Sequence, residues 1–412
     1  MSAPMSIAIL TTARSDFGPL KRVIRCAAER FHVDLLIAGS HFLPSRGGTV
    51  HEIEEEFGAA PNVTLVRLDA MIDGNTATDH VDTLADTQRL ASRWFSANHC
   101  DLVLFLGDRW ELWGVTLPAF LHGIPLAHIS GGEVTEGVID DAVRHSHTKI
   151  AALHFAATDA YAANLSHMGE EDWRISVVGE CGLDQIHDSE FATPEAVKAK
   201  FDVNLGTETL LVTFHPSTLD FETLVADQIG SLLQALERFA DRQLVFTAPG
   251  MEQGSQTVLD AVRAFVKRYP ATRFVDHFGS RHYLAVMRAA KAVIGNSSSG
   301  LVEAASFGVP AVNVGQRQKN RMAAESVLHT GYHFEDIGAA IKRALSPDFQ
   351  RFAQTCSNPY DPFKDGRNSD RIIRAVELAL VRLPRERLLV KKFDTKVRQD
   401  QWNYLLNGEA PA

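Results

Sequence analysis

The sequence predicts an α/β protein built from two doubly wound parallel sheets with a cleft between them. Three observations predict it. Short apolar runs that read as buried strands alternate with helical stretches from Ser6 to Val314. The alternation stops in a polar stretch, Leu183–Gly206, and then restarts. At 412 residues the chain has room for two domains of ordinary size. The expected organisation is a first unit over 1–182, a linker over 183–206, a second unit over 207–382 and a charged helical tail over 383–412.

Composition narrows the class. Hydrophobic residues make up 45% of the chain and charged residues 22%, as in soluble globular proteins. A net charge of -10 excludes general nucleic-acid binding, which needs a basic surface. Cys26, Cys100, Cys181 and Cys356 are widely spaced with no Cys-x-x-Cys, which fits free thiols in a reducing compartment. No signal-like segment precedes the first strand and no apolar run reaches membrane length, so a cytoplasmic location is expected.

In the first half, Ser6–Leu10 opens as a strand. A loop over Thr11–Gly18 and a helix over Pro19–Arg30 follow, then a strand over Val33–Ala38. Arg14 lies in that first loop, where parallel α/β folds hold phosphate. Gly39–Gly58 reads as a long loop, a candidate lid, running into a helix at Thr49–Glu56. Asp79–His99 reads as a helix. Asp101–Leu106 is an apolar strand ending in Gly107-Asp108-Arg109, which places a carboxylate at the ligand edge of the sheet. Leu126–Ile129 is the next strand. Ser130–Lys149 follows it as a loop and helix carrying Glu133, Glu136, Asp140 and Asp141. Helical spacing puts Asp140, Arg144 and His147 near one face and Asp141 with His145 on a neighbouring one. Carboxylates gathered beside a bound anion have raised pKa values, which suits proton transfer. His145 and His147, two apart on a helix, diverge and make a poor metal pair. His154–Ala157 and Ile175–Val178 close the first half as strands.

The second half repeats the architecture without repeating the sequence. Strands are expected at Leu210–Thr213, Gln243–Thr247 and Arg273–Val275, with helices at Phe221–Phe239, Gly254–Tyr269 and Tyr283–Ala290. The stretch from Val293 to Arg321 reads as strand, Ser-rich loop, helix, strand and loop. Ser297, Ser298 and Ser299 offer hydroxyl donors where a helix begins, a place that holds phosphate. Glu303 lies one turn on, where a carboxylate accepts two ribose hydroxyls. Arg317 follows the next strand on the same carboxyl edge of the sheet, and His215, at a strand end, is a further phosphate candidate.

These motifs carry a resemblance. Gly107-Asp-Arg, His128-Ile-x-Gly-Gly-Glu133, Asp140-Asp-x-x-Arg-His145 with Thr148-Lys149, Gly295-Asn-Ser-Ser-Ser-Gly-x-x-Glu303 and Gly315-x-Arg-Gln318 resemble the hydrolysing UDP-N-acetylglucosamine 2-epimerases. They look closest to the branch that serves sialic- and legionaminic-type nonulosonic acids. The likeness runs in order from Ser6 to Arg321. It implies two Rossmann-like domains in a GT-B-type fold, a homodimer and a UDP-sugar substrate. It also implies elimination of UDP to a glycal, followed by hydration to the free manno sugar, with no metal or nicotinamide.

Carried over by position, the resemblance implies acid/base roles for Asp108 and Asp140, and diphosphate contacts for Arg14, His215, Ser297 and Ser298. Glu303 becomes the ribose ligand and Arg317 a cleft residue near the phosphates. The candidate catalytic set is Asp108, Glu133, Asp140 and His215. The candidate binding set is Arg14, Arg109, Arg144, His145, Ser297, Ser298, Glu303 and Arg317. The chain departs from the family where His-Ile-Glu-Gly-Gly-Glu becomes His-Ile-Ser130-Gly-Gly-Glu. A serine is no proton carrier near neutral pH. Either Glu133 or Glu136 moves in, or the site serves another sugar, with a 2,4-diacetamido-6-deoxy substrate a candidate. Lys319-Asn320 also replaces the usual glycine before Arg321. A glycosyltransferase of the same fold and a UDP-sugar sensor are the alternative readings.

Overall fold

The structure is a computed structural model describing residues 5–44, 47–74, 76–188, 191–217, 219–220, 222–250 and 252–393. Its first sheet contains β1 (Ser6–Thr11), β2 (His32–Ile37), β3 (Val63–Arg67), β4 (Leu102–Leu106), β5 (Leu126–Ile129), β6 (Leu153–Ala156) and β7 (Ile175–Val177). The strands are parallel, in the order β3-β2-β1-β4-β5-β6-β7. The second sheet contains β8 (Thr209–Thr213), β9 (Gln243–Thr247), β10 (Arg273–Val275), β11 (Ala292–Gly295), β12 (Ala311–Val314) and β13 (Val327–Thr330). It is also parallel, in the order β10-β9-β8-β11-β12-β13.

Burial explains the apolar runs. Every residue of β1, β5 and β8 is buried, because helices cover both faces of each sheet. Ile7, Ile9, Leu102 and Leu104 pack under the first helix, while Ala8, Leu10, Val103 and Phe105 pack on the opposite side. Strand order reverses between β1 and β4, and again between β8 and β11. Open parallel sheets form their ligand crevice at the carboxyl ends beside such a reversal. The loops after these four strands therefore lie where a ligand binds.

Three parts differ from the sequence reading. The first helix spans Arg14–Ala28, so the expected loop over Thr11–Gly18 holds its first turn. Asp16 fixes that start by accepting from the backbone N–H of Thr12 and Ala13 and from the hydroxyls of Thr11 and Thr12. β3 and β13 were not expected. Both lie at sheet edges and are partly exposed, which dilutes an apolar signature. The helix Asn368–Arg382 leaves the second sheet and packs on the first, burying Ile372, Ile373 and Val376 in the first core.

Arg174 secures this return. Its buried guanidinium donates to the carbonyls of Ala152, Arg387, Leu388 and Val390 at 2.9–3.0 Å. Of the expected helical tail, Arg385–Leu389 is a helix, and residues 394–412 lie outside the described residues. So do Ser45 and Arg46 of the expected lid, whose flank Gly39–Phe42 is a short 3-10 helix. Among the described residues no helix is long and apolar enough to cross a membrane.

Candidate functional site

The first sheet contributes a web of carboxylates and arginines. Asp108 follows β4 and pairs with Arg144 from the helix Asp140–Ile150. Arg144 is almost fully buried. It also donates to the Glu133 carbonyl (3.1 Å), Thr135 Oγ1 (3.0 Å) and Asp141 Oδ1 (3.2 Å). Burial alone would push the Asp108 carboxyl up, but the Arg144 and Arg321 guanidiniums hold it below the ordinary carboxylate range.

Asp140 is the opposite case. It makes no ion pair among the described residues. Burial and the neighbouring Asp108 charge push its carboxyl up to about 7, against the pull of Arg317 and Arg109. Arg109 itself is bound to Glu111.

The helix does not gather Asp140, Arg144 and His147 on one working face. His147 turns into the core, with Nε2 3.0 Å from Thr116 Oγ1 and Nδ1 3.0 Å from the Val143 carbonyl. Burial pushes its imidazole down to about 4. His145 faces Asp141 instead, at 3.4 Å.

The second sheet contributes donors. Asn296 follows β11 and clasps the backbone of His215, which follows β8. Its side chain accepts the His215 N–H at 2.7 Å and donates to the His215 carbonyl at 2.8 Å. Its own carbonyl receives Arg317 Nη1 (3.2 Å) and Gln318 Nε2 (2.9 Å). Glu252 bridges His215 Nδ1 (3.2 Å) and Arg317 Nη2 (3.1 Å). Burial opposes its ionisation, but His215 and Arg317 hold it well below the usual carboxylate range.

The Ser-rich loop divides its labour. Ser299 is buried against the Tyr283 hydroxyl at 2.6 Å, whereas Ser297 and Ser298 stay half-buried. The expected helix after the loop divides into four α-helical residues, Ser299–Val302, and a 3-10 turn over Ala304–Phe307. Such a short helix has a small dipole. The Ser297 and Ser298 hydroxyls and the Arg317 guanidinium are the loop's remaining donors for an anion. Glu303 lies between the two pieces, its carboxyl pushed up to about 7 by burial and by Glu180.

The halves meet across the cleft. Arg321 Nη2 lies 2.5 Å from Glu133 Oε2. Asn320, in place of the usual glycine, has φ 60° and takes the left-handed turn itself, as asparagine tolerates. That conformation directs the loop so that Arg321 reaches Glu133. A Cβ on Gly137 would lie 2.3 Å from the Gln316 carbonyl oxygen, so only glycine allows this approach. Glu136 is exposed and pairs with Asn320 (2.8 Å) and Lys319 (3.3 Å). Tyr161 joins Tyr360 and the Met322 backbone in a further bridge.

The structure thus brings Asp108, Arg109, Glu133, Asp140 and Arg144 together on one side of the cleft. His215, Ser297, Ser298, Glu303 and Arg317 lie on the other. Arg14 is exposed at the start of the first helix, near Glu52 and Asp276. Arg144 commits its guanidinium to the protein, whereas half-buried His145 faces Asp141 with Nε2 and has no hydrogen-bond partner for Nδ1 among the described residues. Asn296, Glu252 and Glu180 were not singled out from sequence. Asn296 stood inside the quoted Gly-Asn-Ser-Ser-Ser motif, which was its signal; Glu252 and Glu180 had none.

A carboxylate cluster facing a donor-rich loop across two parallel sheets defines a two-domain α/β enzyme of the nucleotide-sugar type. The sequence profile described as UDP-N-acetylglucosamine 2-epimerase matches residues 25–377. The chain is 31% identical over 374 residues to polysialic acid biosynthesis protein P7 of Escherichia coli, covering 89% of this chain and 93% of that protein. It is 31% identical over 324 residues to the GDP/UDP-N,N'-diacetylbacillosamine 2-epimerase (hydrolyzing) of Campylobacter jejuni, covering 77% and 81%. Among solved structures, UDP-GlcNAc 2-epimerase from Neisseria meningitidis bound to UDP-GlcNAc superposes with a TM-score of 0.75 at 16% identity. That superposition covers 90% of this chain and 100% of the other, and it bears on the fold alone. The chain belongs to the UDP-N-acetylglucosamine 2-epimerase family, and its two Rossmann-like domains form the GT-B-type fold expected from the resemblance.

Proposed function

We propose that the chain is a hydrolysing 2-epimerase of a UDP-2-acetamido sugar, releasing UDP and the free manno sugar. The observation that carries the reading is the charge contrast in the cleft. Asp140, a carboxylate titrating near neutrality without a salt bridge, lies within electrostatic reach of Arg317 on the donor-rich side. Proton abstraction at C2 needs such a group, and a departing diphosphate needs such donors. The buried Nε atoms of Arg317 and Arg321 lack a hydrogen-bond partner among the described residues, which suits a cleft that receives an anion.

In this reading Ser297, Ser298, His215 and Arg317 hold the diphosphate, with Asn296 fixing their geometry. Arg14 meets the phosphates from the first sheet, and Glu303 accepts the ribose hydroxyls. Asp140 carries a proton. Asp108 stays anionic, locks Arg144 and keeps the Asp140 carboxyl protonatable. Glu133 holds Arg321 and with it the second domain. The relatives named for N,N'-diacetylbacillosamine and for UDP-N-acetylglucosamine support two sugars, the 2,4-diacetamido-6-deoxy compound and N-acetylglucosamine. The Ser130 departure favours the first.

The test is UDP release from each UDP-sugar by the purified full chain, with the sugar product identified by chromatography. Release of UDP with an equal amount of free manno sugar supports the reading. Transfer of the sugar to an acceptor, or binding without turnover, contradicts it.

A further inference from the structure

We infer that Glu180, through the hydrogen bond it receives from Ser130, is the second proton-carrying carboxylate of the cleft. The inference rests on the hydrolysing 2-epimerase reading and adds a residue to it.

Inverting C2 needs a proton taken from one face and another delivered to the opposite face. In the first half-reaction a carboxylate takes the C2 hydrogen as a proton. The C–H electron pair becomes the C1–C2 double bond, and the C1–O bond breaks to release UDP with its electrons. In the second, water oxygen bonds to C1, a carboxylic acid delivers a proton to C2, and the proton left by water restores the acid. Two groups able to gain and lose a proton are required. A carboxylate locked to a guanidinium is a poor one, because the pairing favours its charged form.

That criterion sorts the cleft. Asp108 is locked by Arg144, Glu133 by Arg321, Glu111 by Arg109, and Glu252 by Arg317. Among the described residues, Asp140, Glu180 and Glu303 make no ion pair. Glu303 stands on the ribose side, beside the Ser-rich loop. Asp140 has Asp108, Arg109 and Arg317 as neighbours, whereas Glu180 has Glu133, Arg321, Glu303 and the Cys181 thiol. The two free carboxylates therefore occupy different sectors of the same cleft.

Glu180 is also built in. It lies three residues past β7, after Gly179 at φ 84° has turned the chain, and caps the short 3-10 turn Cys181–Leu183. Its backbone N–H donates to the Tyr360 carbonyl at 2.9 Å, and its carbonyl accepts Asn368 Nδ2 at 3.0 Å. Its Oε2 accepts Ser130 Oγ at 2.9 Å, and its Oε1 accepts the Gly182 N–H at 3.3 Å. Ser130 sits at φ 64°, a conformation a serine seldom adopts, and so presents its hydroxyl to Glu180. Burial and the Glu133 charge push the Glu180 carboxyl up, so it holds a proton more readily than a free carboxyl. Ser130 is the positioning residue and Glu180 the carrier.

The experiment measures UDP release and UDP affinity of Glu180→Gln and Glu180→Ala in the full chain, with sodium formate added to the alanine variant. The glutamine keeps the shape, its carbonyl oxygen accepting the Gly182 N–H and its amide donating to Ser130 Oγ, but it carries no proton. We expect UDP affinity within about twofold of the unsubstituted protein, turnover lowered by about 100-fold or more, and partial recovery of the alanine variant with formate. A structural carboxylate gives no recovery. Glu180→Gln turning over within about threefold of the unsubstituted protein overturns the role of Glu180 and leaves the epimerase reading standing. If the unsubstituted protein releases no UDP from either sugar, the reading fails and the role of Glu180 fails with it.

Discussion

Arg321 reaches across the cleft to bind Glu133, Nη2 to Oε2 at 2.5 Å, and so ties the loop after β12 to the loop after β5. Glu133 is 1% exposed and Arg321 14%, so the pair is shielded from solvent. Removing one partner leaves a buried charge alone, a loss of about 3–5 kcal/mol. Arg321→Met is therefore expected to lower the denaturant midpoint markedly, and Arg321→Met with Glu133→Gln to recover part of the loss. Urea titration of both variants checks it; no loss in the single variant contradicts the pairing.

Asp108 and Asp140 predict a pH effect whose sign is fixed. The Asp108 charge disfavours the Asp140 anion, and with burial pushes that carboxyl up to about 7. A base must be ionised to take a proton, so kcat/KM is expected to rise with pH through about 7. Asp108→Asn removes the neighbouring charge. The rising limb then moves to lower pH, turnover falls because Arg144 loses its anchor, and UDP affinity stays nearly unchanged. A limb that stays in place would assign it to another group.

Asn296 touches both sides of the predicted diphosphate pocket, His215 by two hydrogen bonds and Arg317 through its carbonyl. Asn296→Ala removes the two His215 bonds and keeps the carbonyl, and is expected to weaken UDP binding by about 10-fold, in line with two bonds at about 0.5–1.5 kcal/mol each. Calorimetry with UDP measures it. Unchanged affinity places the nucleotide elsewhere.

How much of this was legible follows from where each signal resides. The buried strands and the Ser-rich loop were readable because burial on both faces demands continuous apolar runs and turns demand small polar residues. The edge strands β3 and β13 were not, since half their surface faces solvent. Asp108, Asp140 and Glu303 were visible as carboxylates beside strand or helix ends. Two departures resolved only in three dimensions. Asn320 supplies the left-handed turn expected of a glycine. At Ser130 the serine hydroxyl meets the Glu180 carboxylate, 50 residues away in sequence, while Glu133 is held by Arg321 and Glu136 is exposed. No local pattern encodes a pairing of that separation.

Glu170 gives the stability of the first domain an acid limit. Burial would push its carboxyl up, but His154 (3.0 Å), Lys149 (2.6 Å) and Lys391 (2.5 Å) outweigh it and hold it at about 2, below the ordinary 4.5. A carboxyl lowered on folding stabilises above its unfolded value and loses that contribution as pH falls from 4.5 towards 2. Glu170→Gln should therefore be less stable than the unsubstituted protein at pH 7, with the gap narrowing below pH 4.5. Thermal midpoints across that range measure it, and a gap independent of pH contradicts the charge network.

The central claim is proton exchange at C2 coupled to loss of UDP. Its most direct test is proton NMR of the full chain in deuterated water, with UDP-N-acetylglucosamine and with its 2,4-diacetamido-6-deoxy counterpart. The account predicts free manno sugar carrying deuterium at C2, formed in step with UDP, and faster from one of the two sugars. UDP release with protium retained at C2, or no release from either sugar, contradicts it.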